Sequence, residues 1–285
     1  MADLFQRLLL ATEHTDFDAG AEGLALAMAQ RCQAPLACVF PLISNPEYEA
    51  IAPERAAQAE AQVADKIRHL LAHASTLGVQ VNVRVRRGLD LYLEIVQEAR
   101  DIQADLIVIR RRGQRGFLAN LLVGEMVGKV VAHAPCHALI VPRKATMWSR
   151  RVLAAAEPGV QGRRVVATAM KLARECGMPL HVACVVTATV SRGLAEAFID
   201  DCLGLARQQG MEAGGEVRND KPHAGILAAA ASSGSDLIVI GSREEGRLGR
   251  AWIGGVAQKV LGLSEYPVLA LHPEMAQPTT DPAPS

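Results

Sequence analysis

Short apolar runs alternate with longer amphipathic stretches along this chain. RLLLAT (7–12), LACVF (36–40), DLIVI (105–109) and ALIV (138–141) are apolar at successive positions. Runs this short and this uniformly apolar suit strands buried on both faces. Between them, residues 18–33, 50–77, 89–101 and 124–134 carry helical periodicity. In 50–77, Val63, Ile67, Leu70, Leu71 and Ala74 fall on one helical face. VQVNVRV (79–85) alternates instead, which predicts a strand with one face partly wet. The succession then returns: VLAAA (152–156), a helix at 160–177, LHVACVV (180–186), a helix at 192–209 and a weak strand at 211–218. It continues with a helix at 222–233, DLIVI (236–240), a helix at 254–263 and VLAL (268–271). Strands alternating with amphipathic helices predict parallel sheet covered on both sides.

The return is a repeat of sequence as well as of pattern. The two DLIVI runs are identical and lie 131 residues apart, from Asp105 and Asp236. Upstream, Cys32 meets Cys176 and Pro35 meets Pro179 at an offset of 144. Downstream, Gly124 meets Gly254 and Lys129 meets Lys259 at an offset of 130. The matches are collinear, so the second copy is shorter by 13 residues between its second and fourth strands. We divide the chain into a first domain at 1–143, a linker at 144–150, a second domain at 151–273 and a Pro-rich tail at 274–285, expected to be disordered.

Composition narrows the function classes. A length of 285 residues suits two domains, and 50% apolar content lets each bury a core. Aromatics make up only 4%, so Ala, Val, Leu and Ile must do the packing. Thirty basic residues balance thirty acidic ones, which leaves no global field to attract nucleic acid or anionic lipid. The six cysteines form no C-x-x-C pair and read as reduced, mostly buried small apolar residues. The N-terminus lacks the pattern of a secretory signal, and no apolar run approaches the roughly 20 residues of a membrane helix. The expected location is the cytoplasm.

Two segments carry a more specific series: DLIVI, a loop with Gly and Arg, a helix opening on Gly, then a final apolar strand. They are RRRGQRGFLANLLVGEMVGKVVAHAPCHALIVP (110–142) and GSREEGRLGRAWIGGVAQKVLGLSEYPVLAL (241–271). Both resemble the C-terminal part of universal stress protein domains. The resemblance implies a tandem of two Rossmann-like, doubly wound α/β domains, each with a five-stranded parallel sheet of order 3-2-1-4-5. It also implies that the halves pair through their last strands. Nucleotide-binding members carry G-x-x-G-x9-G-[S/T] after the fourth strand and an Asp ending the first. Here Arg110 takes the first Gly position, Gly113 the second and Gly124 the third one residue late, with Glu125 for the hydroxyl residue. In the second half Gly241 and Gly254 keep the spacing, Glu244 replaces the middle Gly and Gly255 the hydroxyl residue. The carboxylate ending the first strand becomes Glu13 and Glu157. By this resemblance the candidate nucleotide site is Glu13, Arg112, Gly113, Arg115, Gly116 and Gly124 in the first half. In the second it is Glu157, Gly241, Ser242, Gly254 and Gly255.

The resemblance implies a non-enzymatic stress-response protein, with ATP and magnesium as the candidate ligand of one crevice. A weak nucleotide hydrolase and a regulatory module of a transporter or kinase are the alternatives. A homodimer and a further protein partner are the expected associations beside the pairing of the two halves. The run Arg110, Arg111, Arg112, Arg115 reads equally as a polyphosphate clasp or a solvated loop. Glu244 and Glu245 oppose a triphosphate in the second half, whereas an arginine can swing aside, so charge favours the first half. Asp65, His69 and His73 share a helix face opposite the apolar one and read as solvent-facing rather than metal-ligating. Glu125, Lys129 and His133 likewise read as surface charges. Tyr92 and His223, at equivalent helix starts, read as covering those starts rather than lining a crevice.

Overall fold

A computed structural model describes residues 4–111, 124–242 and 253–273. The first half runs β1 (Leu8–Ala11), α1 (Ala19–Cys32), β2 (Leu36–Ile43), α2 (Pro46–Ile51), α3 (Pro53–Thr76), β3 (Val81–Gly88), α4 (Leu91–Asp101), β4 (Leu106–Arg110), α5 (Glu125–His133) and β5 (His137–Val141). The second runs β6 (Val152–Ala155), α6 (Val160–Cys176), β7 (Leu180–Val185), α7 (Arg192–Gln208), β8 (Ala213–Arg218), α8 (Pro222–Ser233), β9 (Leu237–Gly241), α9 (Gly255–Leu263) and β10 (Val268–Leu271). The helix expected over 50–77 is broken before Pro53. That residue lacks an N–H and is tolerated only in a first helical turn, so it opens α3.

The strands form one sheet of ten in the order β3-β2-β1-β4-β5-β10-β9-β6-β7-β8. The expected two five-stranded sheets are thus one continuous sheet, joined through the last strands of the halves as the resemblance implied, and each half keeps the order 3-2-1-4-5. The join is antiparallel, with Ile140 opposite Val268, Leu139 opposite Leu269 and Ala138 opposite Ala270. Its cause is physical: β5 and β10 are buried throughout. Left apart, each would present an apolar edge with unpaired backbone groups.

One face of the sheet is covered by α1, α3, α6 and α7, the other by α4, α5, α8 and α9. Both layers are built mainly from Ala, Val, Leu and Ile. The Asp of each DLIVI run has a defined task. Asp105 Oδ2 accepts the N–H groups of Gln6 and Arg7 at 2.7 and 2.9 Å. Asp236 accepts those of Ser149, Arg150 and Arg151. Each carboxylate thus fixes the chain entering the first strand of its half. In segment 144–150, Trp148 is buried in the core with Ala145 and Met147 packed against it, while Lys144, Thr146, Ser149 and Arg150 are exposed.

All six cysteines are free; Cys176 is partly exposed and the rest are buried. Burial pushes the Cys184 and Cys202 thiols up to about 11. Such groups remain neutral thiols at pH 7 and pack as apolar residues.

Gly162 lets α6 settle onto the end of β6. A Cβ there would lie 1.7 Å from the Glu157 carbonyl oxygen. Gly162→Ala is therefore expected to lose on the order of 1–3 kcal/mol in urea unfolding. Gly204→Ala, inside α7 with nothing near its added Cβ, should instead gain about 0.4–1 kcal/mol.

Candidate functional site

A doubly wound sheet has a crevice outside the carboxyl ends of its strands, where successive helices pass to opposite faces. This chain has two such places, beyond β1 and β4 and beyond β6 and β9. Their chemistry has diverged.

In the first, the side chain of Arg110 fills the space. Arg110 ends β4 and is 5% exposed. Its Nη1 donates to Thr15 Oγ1 at 2.7 Å and to Asp18 Oδ2 at 2.8 Å, and its Nη2 donates to Glu13 Oε2 at 2.8 Å. Asp18 precedes α1 and also accepts the Thr15 backbone N–H at 2.9 Å and hydroxyl at 2.6 Å. Beside this cluster, the Thr12 hydroxyl donates to Glu22, whose other oxygen lies 3.0 Å from His14 Nδ1. Lys66 Nζ donates to the Glu13 carbonyl at 2.9 Å. A cavity of about 10 Å³ remains among Thr12, Glu13, Asp18 and Arg110. That is room for one water at most.

In the second, the same positions have lost these groups together. At the offset of 131, Gly241 stands for Arg110; at 144, Gly159 stands for Thr15 and Gly162 for Asp18. Glu157 keeps the carboxylate of Glu13. The result is a cavity of about 560 Å³. Its walls are largely apolar, with Val165, Val185, Leu194 and Ile226 among them, and Glu157, Gln161, Thr187 and Thr189 supply polar groups. Gly241, Gly254 and the first turn of α9, through Val256 and Ala257, close one side.

The residues expected from sequence are distributed as follows. Glu157, Gly241 and Gly254 line the second cavity. Ser242 does not; its hydroxyl donates to the Leu271 carbonyl at 2.8 Å and holds the strand end. Gly255 begins α9 beside Gly254 but is not a wall residue. In the first half Glu13 is tied to Arg110, and Gly124 precedes α5. Arg112, Gly113, Arg115, Gly116, Glu244 and Glu245 lie outside the described residues. Of the basic run only Arg110 and Arg111 are among the described residues. Arg110 is held by two carboxylates, and Arg111 Nη1 donates across to the Ser264 carbonyl.

The remaining candidates have ordinary partners. Asp65 pairs with Arg68. The His69 ring lies 6.5 Å from that of His14. Lys129 pairs with Glu125 at 2.7 Å and sits 5.3 Å over the Tyr92 ring. Pro222, not His223, reaches the second cavity. Among the described residues no group of three His, Cys, Asp or Glu is placed to hold a metal. Sequence reasoning missed Thr15 and Asp18 in the first crevice, and Gln161, Thr187 and Thr189 in the second. The run TATVS after β7 was the available signal, since it lies at the carboxyl edge next to β6.

The model of the universal stress protein family matches the chain twice, over residues 4–142 and 149–272. A solved universal stress protein from Archaeoglobus fulgidus DSM 4304 has a TM-score of 0.71 at 18% identity, covering 93% of this chain and 98% of its own. A functionally unknown protein from Pseudomonas aeruginosa PAO1 has a TM-score of 0.66 at 19% identity, covering 95% of this chain and 93% of its own. No curated protein sequence matches. At these identities the structures share the fold, with both halves included.

Proposed function

The chain belongs to the universal stress protein family as a tandem of two domains, and we propose that it is a non-catalytic, cytoplasmic member that binds an adenine nucleotide in its second-half crevice. One observation carries this reading: a cavity of about 560 Å³ lies where the first half has Arg110 and its carboxylates. That volume is within the roughly 300–1,000 Å³ range of small-molecule sites. The apolar walls suit a flat base, and Glu157, Thr187 and Thr189 can bond to the base's amino group and the ribose hydroxyls. Gly241 and Gly254 allow close backbone approach, and the α9 start favours an anionic group. Magnesium would arrive on the phosphates, with Glu157 the carboxylate beside it among the described wall residues.

The preference for the first half rests on Glu244 and Glu245, which lie outside the described residues, and on an arginine able to swing aside. Arg110, bonded to Thr15, Asp18 and Glu13 and almost fully buried, supports the opposite choice. Cytoplasmic placement rests on six unpaired cysteines. No helix among the described residues is long and apolar enough to cross a membrane.

The test is calorimetric titration of ATP, with and without magnesium, followed by an assay for ADP. We expect one site per chain and no turnover. Gly241→Arg should weaken binding at least about tenfold, or 1.4 kcal/mol, by returning a side chain to the cavity. Arg112→Glu should leave affinity unchanged. Ile226→Trp, which fills the same space from another wall, guards against a local effect of the arginine. Binding that survives both cavity variants places the ligand elsewhere. ADP release makes the protein a hydrolase. No binding at all returns the regulatory-module reading, in which a surface does the work.

A further inference from the structure

Thr12, His14 and Glu22 form a second polar unit beside the Arg110 cluster, and the proposed nucleotide site makes no use of it. His14 follows β1 in the left-handed region, at a φ of +47°. A non-glycine residue keeps that conformation where its surroundings fix it. Here its backbone N–H donates to Thr12 Oγ1 at 2.8 Å, and the Thr12 hydroxyl donates in turn to Glu22. Thr12 and Glu22 are both buried, so the carboxylate is held in place. Its two oxygens lie 3.1 and 3.0 Å from His14 Nδ1. A carboxylate only accepts, so Nδ1 carries the ring proton and Nε2 the lone pair. Nε2 has no hydrogen-bond partner among the described residues. The His14 side chain is 25% exposed, which opens the ring to a small solute. A ring oriented by a buried carboxylate, with its other nitrogen open, is the arrangement of an activated nucleophile. The second half lacks the whole unit: at the offset of 144, Ala156, Pro158 and Val166 stand for Thr12, His14 and Glu22.

We propose that His14 accepts a phosphoryl group on Nε2 from an acyl phosphate. The small size of the donor follows from the crevice beside it, where Arg110 leaves only about 10 Å³ and no room for a nucleotide. In the step, the Nε2 lone pair attacks phosphorus. The P–O bond to the acyl group breaks, and its electron pair leaves with the carboxylate. The ring becomes a phosphoimidazolium, whose positive charge Glu22 balances through the shared Nδ1 proton. One imidazole and one acyl phosphate give one phosphohistidine and one carboxylate. Lys66 supplies a cation at this corner, its Nζ held 2.9 Å from the carbonyl of Glu13, the residue before His14. The other carboxylates there, on Glu13 and Asp18, are already paired with Arg110.

Incubation of the full chain with acetyl phosphate, followed by intact mass and peptide mapping, tests this directly. We expect one phosphoryl group per chain, located on His14. It should survive mild alkali and be lost in mild acid, unlike a phosphoryl group on Asp or Glu. His14→Asn should abolish the label, and asparagine also tolerates the left-handed backbone, so the fold is kept. Glu22→Gln should slow labelling at least about tenfold, and the nitrogen shifts of the His14 ring should show its proton no longer confined to Nδ1. An unlabelled wild type overturns the proposal, as does an alkali-labile label or one on another residue. So does a label that survives in His14→Asn, or an unchanged rate in Glu22→Gln. The wild-type measurement needs no variant to fold.

Discussion

Arg110→Ala is expected to destabilise the protein by about 3–5 kcal/mol, the usual cost of removing one partner from a buried charge cluster. The wild-type cluster is well satisfied. One guanidinium meets Asp18, Glu13 and Thr15 within 2.8 Å, and Arg110 and Asp18 are almost entirely buried. Alanine leaves the Asp18 and Glu13 carboxylates without the guanidinium they share, and leaves a void among Thr12, Glu13 and Asp18. Loss of arginine packing adds to the loss of charge. Equilibrium unfolding in urea measures the effect. The double variant Arg110→Ala/Asp18→Ala should recover a large part of it, because it removes the stranded charge as well. If the two substitutions simply add, the ion pair is not what holds this corner together. A further variant, Arg110→Gly/Thr15→Gly/Asp18→Gly, copies the second half. Under the proposed function it should raise ATP stoichiometry toward two while lowering stability.

Most of the fold was legible, and the reason lies in its parallel strands. RLLLAT and DLIVI are apolar on both faces because helices cover both sides, so the signal is present in a few residues. The Asp shared by the two DLIVI runs follows from one local device, since each receives the backbone N–H groups of the chain entering β1 or β6. The pattern of apolar runs alone does not give the merging into one sheet, which depends on β5 meeting β10 more than a hundred residues apart; only the family resemblance implies that the halves pair through their last strands. The crevices were legible only in part. Arg110 opens a run of three arginines and reads locally as the start of a basic loop. Its partners Glu13, Thr15 and Asp18 lie more than ninety residues upstream, and no spacing rule connects them. The second cavity is harder still, because its wall is marked by missing side chains, at Gly162 and Gly241. Aligning the halves residue by residue exposes it: Arg, Thr and Asp in one become three glycines in the other. That change has a simple logic. A cation, a hydroxyl and a carboxylate that satisfy one another can be lost together at little cost, whereas losing any one alone leaves the others buried and unpaired.

The same argument of burial gives the seam between the halves a pH dependence. His137 begins β5 and is 7% exposed, with its Nδ1 accepting the backbone N–H of His272 at 3.0 Å. The Phe5 ring lies edge-on at 6.4 Å. An accepting Nδ1 cannot carry a proton, so this hydrogen bond requires that nitrogen bare. Burial first, and His272 second, push its pKa down from 6.5 to about 4. The unfolded chain, with its ordinary histidine, therefore binds a proton more readily than the folded one. Stability from this group is complete above about pH 6.5, declines as the pH falls, and is gone below about 4. A difference of two to three pKa units corresponds to about 3 kcal/mol. Carboxylates begin to titrate at the lower end of the window, so the wild-type curve alone does not isolate the effect. His137→Gln does, because its amide oxygen can accept the same N–H without titrating. Urea unfolding at intervals between pH 7.5 and 4 should show the wild type losing its advantage over His137→Gln as acid is added. The two curves should cross or converge near the bottom of the window. Parallel curves would mean that His137 keeps an ordinary pKa and that the β5–β10 junction does not sense protons.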